Sequence, residues 1–191
     1  AILTDRLRSA PTRLSDVASI FVGLQTSADK IYILEETAAS DGDAVKLRDA
    51  NGQEWIMESA VLKPFLYHVT VSTYERPVSH HWLVFPYRVL EDKVSLIPAS
   101  EMKSIYPRAW EYLKHNEKSL RRRESGKADT DQWYGYLYRK NLSLFDSPKL
   151  IVQVISKFGR YTYDNNQYYF TGGGNGPYYG IRWLPSHAGH S

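Results

Sequence analysis

Val45-Lys-Leu-Arg-Asp-Ala-Asn-Gly-Gln-Glu-Trp-Ile-Met57 is the stretch whose reading decides the fold. Apolar and polar residues alternate over 45–48 and again over 54–57, with Asn51-Gly52 between them. Alternation sends one set of side chains to one face of a strand, and Asn-Gly supplies the positive φ of a tight reversal, so an antiparallel hairpin is predicted. Working outward, Ile20-Phe-Val22 reads as a brief strand before Gly23, and Ile31-Tyr-Ile-Leu34 as a strand after the polar loop Gln25-Thr-Ser-Ala-Asp29. Trp82-Leu-Val-Phe85 is a buried strand closed by Pro86. Leu150-Ile-Val-Gln-Val-Ile155, Arg160-Tyr-Thr-Tyr163 and Tyr168-Tyr-Phe170 follow, separated by turns at Gly159 and Asp164-Asn-Asn166. Between these strands, a short helix is expected over 13–18 with Ser15 or Asp16 near its N-cap, and one helical turn over 58–65 ended before Pro64.

The prominent helix is predicted over 107–124. Ser104 is placed to cap it, Pro107 has the φ of a first turn, and Tyr106, Ala109, Trp110, Leu113 and Leu120 recur at helical spacing before Gly126. Its end carries Lys118, Arg121, Arg122 and Arg123, which successive steps of about 100° splay around the axis, so they cannot all touch one ligand. A phosphate clamp and a solvated basic end complementing the helix dipole are equally good readings of that cluster. The fold class is α+β, a mixture of mostly short antiparallel strands with a few helices. Trp82, Phe85, Leu113, Val152 and Val154 are assigned to the core.

The chain has 191 residues, 22.0 kDa and no cysteine, which excludes disulfide scaffolds and thiolate metal sites. No apolar run approaches the roughly 18 residues of a membrane span, and the start lacks the order of a signal peptide, so a soluble, cytoplasmic protein is expected. Charge is uneven: residues 1–100 carry 10 Lys+Arg against 13 Asp+Glu, and residues 101–191 carry 14 against 8. Of the 15 tyrosines, 9 lie between Tyr134 and Tyr179. Cations interleaved with rings suit a nucleic-acid surface, whereas Tyr-rich strands also suit a sheet core, which composition alone favours.

Reactive constellations are sparse. Neither Gly-x-x-x-x-Gly-Lys-Ser/Thr nor Gly-x-Ser-x-Gly occurs, and the carboxylate pairs Glu35-Glu36, Asp41/Asp43 and Glu91-Asp92 fall in loop-like stretches. His80 and His81 would point to opposite faces of a strand, and His187 and His190 lie in a patternless tail, so no metal centre is expected. Gly172-Gly-Gly-Asn-Gly176 precedes Pro177-Tyr-Tyr rather than a helix, which lacks the context of a dinucleotide loop.

Several segments taken in order carry a resemblance. Ile20-Phe-Val-Gly-Leu-Gln-Thr-Ser-Ala-Asp-Lys-Ile-Tyr-Ile33, Leu62-Lys-Pro-Phe65, Leu83-Val-Phe-Pro-Tyr87, Tyr106-Pro-Arg-Ala-Trp-Glu-Tyr-Leu113, Trp133-Tyr134 with Arg139, Ser147-Pro-Lys-Leu-Ile-Val152 with Ile155-Ser156, and Phe170-Thr-Gly-Gly-Gly174 with Tyr179-Gly-Ile181 resemble one known domain. It is the C-terminal specificity domain, or target recognition domain, of TaqI-like adenine-N6 DNA methyltransferases and of fused Eco57I-like type IIG restriction-modification enzymes. The resemblance implies three parts: a linker over 1–14 from a missing catalytic domain, a recognition domain over 15–183, and a tail over 184–191. It implies double-stranded DNA as partner, a catalytic methyltransferase domain in the same parent chain, and S-adenosylmethionine as that domain's cofactor. The family's catalytic Asn/Asp-Pro-Pro-Tyr/Phe motif is absent from these 191 residues, so the fragment is expected to bind and not to catalyse. One segment departs from the family: after Phe65 this chain has Leu66-Tyr-His-Val-Thr-Val-Ser-Thr-Tyr74 where relatives carry a charged stretch.

The resemblance points to Gln25, Thr26, Ser27 and Lys30 in the loop after the first strand, and to Tyr134, Tyr138, Arg139 and Lys140, as DNA-contacting residues. Lys157 and Arg160 beside the Gly159 turn, and Asn175 among the glycines, join them as residue types that pair with base edges. Two other readings stay open: the same domain within a type I specificity subunit, or a non-DNA ligand domain whose aromatic rings line an uncharged groove.

Overall fold

The computed structural model describes residues 5, 8–67, 75–91, 93–153, 157–172 and 178–184, with only the backbone of 39–41. The chain is α+β. The expected hairpin forms from β3 (Ala44–Arg48) and β4 (Glu54–Glu58), with Val45 opposite Met57 and Leu47 opposite Trp55. Its loop is closed by more than Asn-Gly. The Asp49 carboxylate accepts the Asn51 and Gln53 backbone N–H groups at 2.8 and 3.0 Å and the Trp55 indole N–H at 3.1 Å, while Gly52 takes φ 84°.

This hairpin is the edge of a six-stranded sheet ordered β11-β5-β6-β2-β3-β4, built from β2 (Ile33–Asp41), β5 (Leu62–Leu66), β6 (His81–Val84) and β11 (Tyr169–Phe170). All its pairs are antiparallel except β11 with β5. β7 (Tyr87–Leu90) and β8 (Lys93–Leu96) form a separate hairpin. A four-stranded antiparallel sheet, β1-β12-β9-β10, joins β1 (Ala18–Val22), β12 (Tyr178–Trp183), β9 (Lys149–Gln153) and β10 (Tyr161–Asp164).

Rings weld the two large sheets together. Phe21 of β1 meets Phe145 edge-on at 5.2 Å, Phe145 stacks on Tyr169 at 4.5 Å, and Tyr169 meets Phe85 at 5.1 Å. The chain of contacts continues through Tyr87 and Tyr136 to Tyr32. Each such pair contributes about 0.5–1.5 kcal/mol beyond the area it buries. Tyr32, Tyr87, Tyr112, Tyr134, Tyr136, Tyr168, Tyr169 and Tyr178 are all interior, so the tyrosine-rich second half mostly builds core. Phe85 and Leu113 are core as expected, Trp82 and Val152 are half-buried, and Val154 lies outside the described residues.

Several expectations are corrected. Ile31 and Tyr32 belong to a helical turn, α2 (Asp29–Tyr32), and the strand starts only at Ile33. The turn over 58–65 shrinks to a 3₁₀ turn at Ser59–Val61, and Pro64 lies inside β5. The Phe85 N–H bonds the Val61 carbonyl, and strand alternation then turns the Pro64 nitrogen away from β6. On that side β11 reaches only Phe65 and Leu66, so the missing N–H costs little. Near the N-terminus, α1 (Leu14–Val17) has Arg13 at its N-cap, and Asp16 at N3 accepts the Arg13 backbone N–H at 2.8 Å.

The helical segment starts earlier and breaks more often than predicted: α3 (Ala99–Ile105), α4 (Pro107–His115), α5 (Glu117–Arg121) and α6 (Arg123–Gly126). Ser104 lies inside α3 and bonds the Glu101 carbonyl, so it caps nothing downstream. The N-terminus of α4 is capped instead by Glu58, at the end of β4, whose carboxylate accepts the Arg108 and Ala109 N–H groups at 3.0 Å each. A carboxylate there satisfies orphan donors and complements the helix dipole. α6 is a reversal in which Glu124 and Ser125 adopt left-handed φ values of 47° and 58°.

Candidate nucleic-acid interface

Register in the four-stranded sheet brings three chain segments to one end. Val22 faces Tyr179, Tyr178 faces Gln153, and Tyr161 faces Val152. The C-terminal end of β1, the N-terminal end of β12 and the facing ends of β9 and β10 therefore lie at the same end. Three interstrand spacings of about 4.8 Å separate the first from the last, about 14 Å. That width is comparable to the major groove of B-DNA.

The loop after β1 is fixed by backbone contact. Leu24 bridges Thr171, and Gly23 and Gly172 pass so closely that a Cβ on Gly23 would lie 2.4 Å from the Thr171 carbonyl carbon, and one on Gly172 2.0 Å from the Gly23 nitrogen. Only glycine permits that crossing. Beyond it, Gln25 bridges Tyr138, and the Asn141 side chain donates to the Val22 carbonyl at 3.2 Å, which draws the segment 138–141 onto the same end.

Arg123 ties these pieces from inside. It is 7% exposed, and its guanidinium donates to the carbonyls of Leu120 (2.8 Å), Thr26 (3.1 Å), Trp133 (2.6 Å) and Gly135 (2.9 Å), with its carbon 5.6 Å from the Tyr32 ring centre. A fork of fixed donors suits four converging carbonyls in a way an ammonium cannot. The next residue points outward: Glu124 accepts the Ser27 hydroxyl at 3.3 Å and the Tyr138 hydroxyl at 2.9 Å, with the Lys127 ammonium 3.8 Å away. Hydrogen bonding to that carboxylate, together with its charge, raises the Tyr138 pKa. Ser27, Glu124, Ser125 and Asn141, four of the six non-glycine residues with positive φ among those described, cluster here. Left-handed strain of this kind persists where surrounding structure over-determines it, and it gathers at functional sites.

The sequence-predicted residues divide accordingly. Gln25, Ser27, Lys30, Tyr138, Arg139, Lys140 and Lys157 are exposed, and Arg160 is half-buried at the turn. Thr26 and Tyr134 are corrected to the interior. Thr26 is fully buried with its hydroxyl bonded to Asp29 and to the Ala28 N–H, and Tyr134 donates to the Ile97 carbonyl at 2.7 Å. Neither presents a group to a ligand. Arg139 bonds the Gln132 side chain at 2.6 Å and lies over the Tyr87 ring, whereas Asn175 falls outside the described residues. The basic helix end is neither a clamp nor wholly solvated, because Arg121 pairs with Glu117 and Asp129 at 2.8 Å each and Arg123 is buried.

From sequence, Arg123 reads only as one cation of the basic helix end, and Glu124 is not singled out. A signal existed: Arg123 stands three residues after buried Leu120, on the apolar stripe of Ala109 and Leu113, where a cation must be satisfied internally.

The same sheet carries a second exposed surface. Val22, Tyr179, Val152 and Tyr161 form one cross-strand row and Ile20, Ile181, Leu150 and Tyr163 the next, with Trp183 beyond. Ile20, Trp183 and Tyr163 are all more than half exposed, and none of these side chains is charged.

Among the described residues no group of three His, Cys, Asp or Glu could hold a metal ion, and no helix is long and apolar enough to cross a membrane. No family model matches the chain. It is similar to the type II restriction enzyme and methyltransferase RM.Eco57I of Escherichia coli, at 27% identity over 166 residues. The alignment covers 82% of this chain and 16% of that protein.

Proposed function

We propose that this chain is the sequence-specific DNA recognition domain of an S-adenosylmethionine-dependent adenine-N6 DNA methyltransferase of a type II or IIG restriction-modification system. The observation that carries the reading is the gathering at one sheet end of the loop after β1 with Gln25 and Ser27, the segment with Tyr138, Arg139 and Lys140, and the turn with Lys157 and Arg160, Lys30 following in α2. Similarity to a segment of a restriction enzyme and methyltransferase supports it. Lysines and arginines would hold phosphates and set register, while Gln25 would read a base edge. Methyl transfer to adenine, and the cofactor that donates the methyl group, would belong to a catalytic domain of the parent protein, since these 191 residues lack the Asn/Asp-Pro-Pro-Tyr/Phe motif. Selection of bound duplexes from a randomised pool tests this: one short motif enriches, and an unenriched pool refutes the reading.

The uncharged face around Tyr163, Tyr179 and Trp183 favours a second reading, a non-DNA ligand domain with an aromatic surface. Replacing Tyr163 and Trp183 by Ala leaves duplex binding intact on the first reading and abolishes ligand binding on the second.

A further inference from the structure

We propose that Glu124 is a specificity-determining residue that accepts a hydrogen bond from the 4-amino group of a cytosine, with Ser27 and Tyr138 as its positioning residues. The inference rests on the DNA-recognition reading above. Glu124 lies on the α6 reversal, between the loop after β1 and the segment at Tyr138, at the sheet end where the other candidate residues gather. Its carboxylate is held from both sides, one oxygen by the Ser27 hydroxyl and the other by the Tyr138 hydroxyl, yet its side chain remains 32% exposed. Two carboxylate oxygens offer about four lone-pair positions, so acceptor capacity remains beyond the two hydroxyls.

The charge of this group narrows its use. A carboxylate facing a phosphate is repelled, so on a duplex-binding surface it belongs opposite a donor on a base edge. In the major groove cytosine offers only its amino group, whereas adenine sets an N7 acceptor beside its amino donor, against the second carboxylate oxygen. Lys127, 3.8 Å away, tempers the repulsion from neighbouring phosphates. Ser27 and Tyr138, two residues expected to touch DNA themselves, have their hydroxyls committed to Glu124, and they act through it. The left-handed backbone at Ser27, Glu124 and Ser125 sets the angle at which the three meet.

The test takes the duplex enriched by the 191-residue chain and changes it one base pair at a time, measuring affinity by fluorescence anisotropy for wild type, Glu124→Ala and the double variant Ser27→Ala, Tyr138→Phe. At one C·G pair, replacement by T·A weakens wild type about tenfold or more and Glu124→Ala by less than about twofold, while the other positions keep their discrimination. The double variant, which leaves the carboxylate in place but unheld, loses discrimination at that same position. Urea midpoints of all variants are compared, so that a folding defect is recognised as a loss at every position. If Glu124→Ala keeps full discrimination everywhere, the inference is overturned while the DNA reading stands. If wild type enriches no sequence, the DNA reading falls and takes the inference with it.

Discussion

The guanidinium of Arg123 donates to the carbonyl of Thr26 across 3.1 Å, joining the end of a helical segment to a loop ninety-seven residues earlier in the chain. The same group holds Trp133 and Gly135, so one buried side chain sets the relative position of both halves of the candidate interface. Replacing Arg123 by Met strands several buried carbonyls and is expected to cost about 3 kcal/mol, given that hydrogen bonds to charged groups contribute roughly 1.5–3 kcal/mol each and are not additive. Urea unfolding measures the loss. Arg123→Lys should recover only part of it, because one ammonium has three N–H donors for four carbonyls.

Lys149 and Asp164 form a fully buried ion pair at 2.6 Å. Lys149 also donates to the Phe145 carbonyl, and Asp164 accepts the N–H groups of Asn166 and Tyr168, which fixes the turn after β10. Burial outweighs the partner charge and depresses the Lys149 pKa. Lys149→Met leaves an uncompensated carboxylate inside and should destabilise the fold by about 3–5 kcal/mol in chemical denaturation.

The crossing of Gly23 and Gly172 predicts intolerance to a single methyl group. Gly23→Ala places its Cβ against the backbone of Thr171 and Gly172, which cannot swing aside like a side chain. The loop carrying Gln25 and Ser27 must shift, at a cost of about 1–3 kcal/mol. Hydrogen exchange of the loop amides, compared with those of the β3–β4 hairpin, shows whether the damage stays local.

Buried tyrosines give the fold a defined alkaline limit. Desolvation raises Tyr32, Tyr112, Tyr136 and Tyr169, and pushes Tyr87 up to about 12. In the unfolded chain these phenols ionise near pH 10, so above that pH the native state holds more protons than the unfolded one and stability falls as pH rises. Stability from this source is complete below pH 10 and falls as pH rises above it, the part due to Tyr87 being lost through about 12. Tyrosinate absorbance and circular dichroism followed together should show these phenols ionising with the loss of the fold. Their ionisation in a chain that stays folded would contradict the packing described.

The β3–β4 hairpin was legible because its signals are local: side-chain period two, and a glycine at positive φ. Ile31 and Tyr32 read as strand from the sequence because an apolar run four residues long fits a helix as well as a strand, and what decides is the Thr26–Asp29 turn, which starts α2. Within the loop after β1 and the basic-aromatic stretch, Thr26 and Tyr134 face inward although polar residues on either side of them are exposed. Which face a residue takes in irregular backbone depends on contacts from far along the chain, here Arg123 and Ile97. Glu124 carries no local signal for the same reason, since its partners Ser27 and Tyr138 lie 97 and 14 residues away.

Duplex affinity as a function of salt tests the central claim most directly. Lys30, Arg139, Lys140, Lys157 and Arg160 supply the candidate phosphate contacts. If Lys140, Lys157 and one to three of the others bind phosphates, log K falls against log salt with a slope of about −3 to −4.5, and Lys140→Ala with Lys157→Ala reduces that slope by about 2. An affinity that does not change with salt, or a slope untouched by removing those two lysines, would contradict the account.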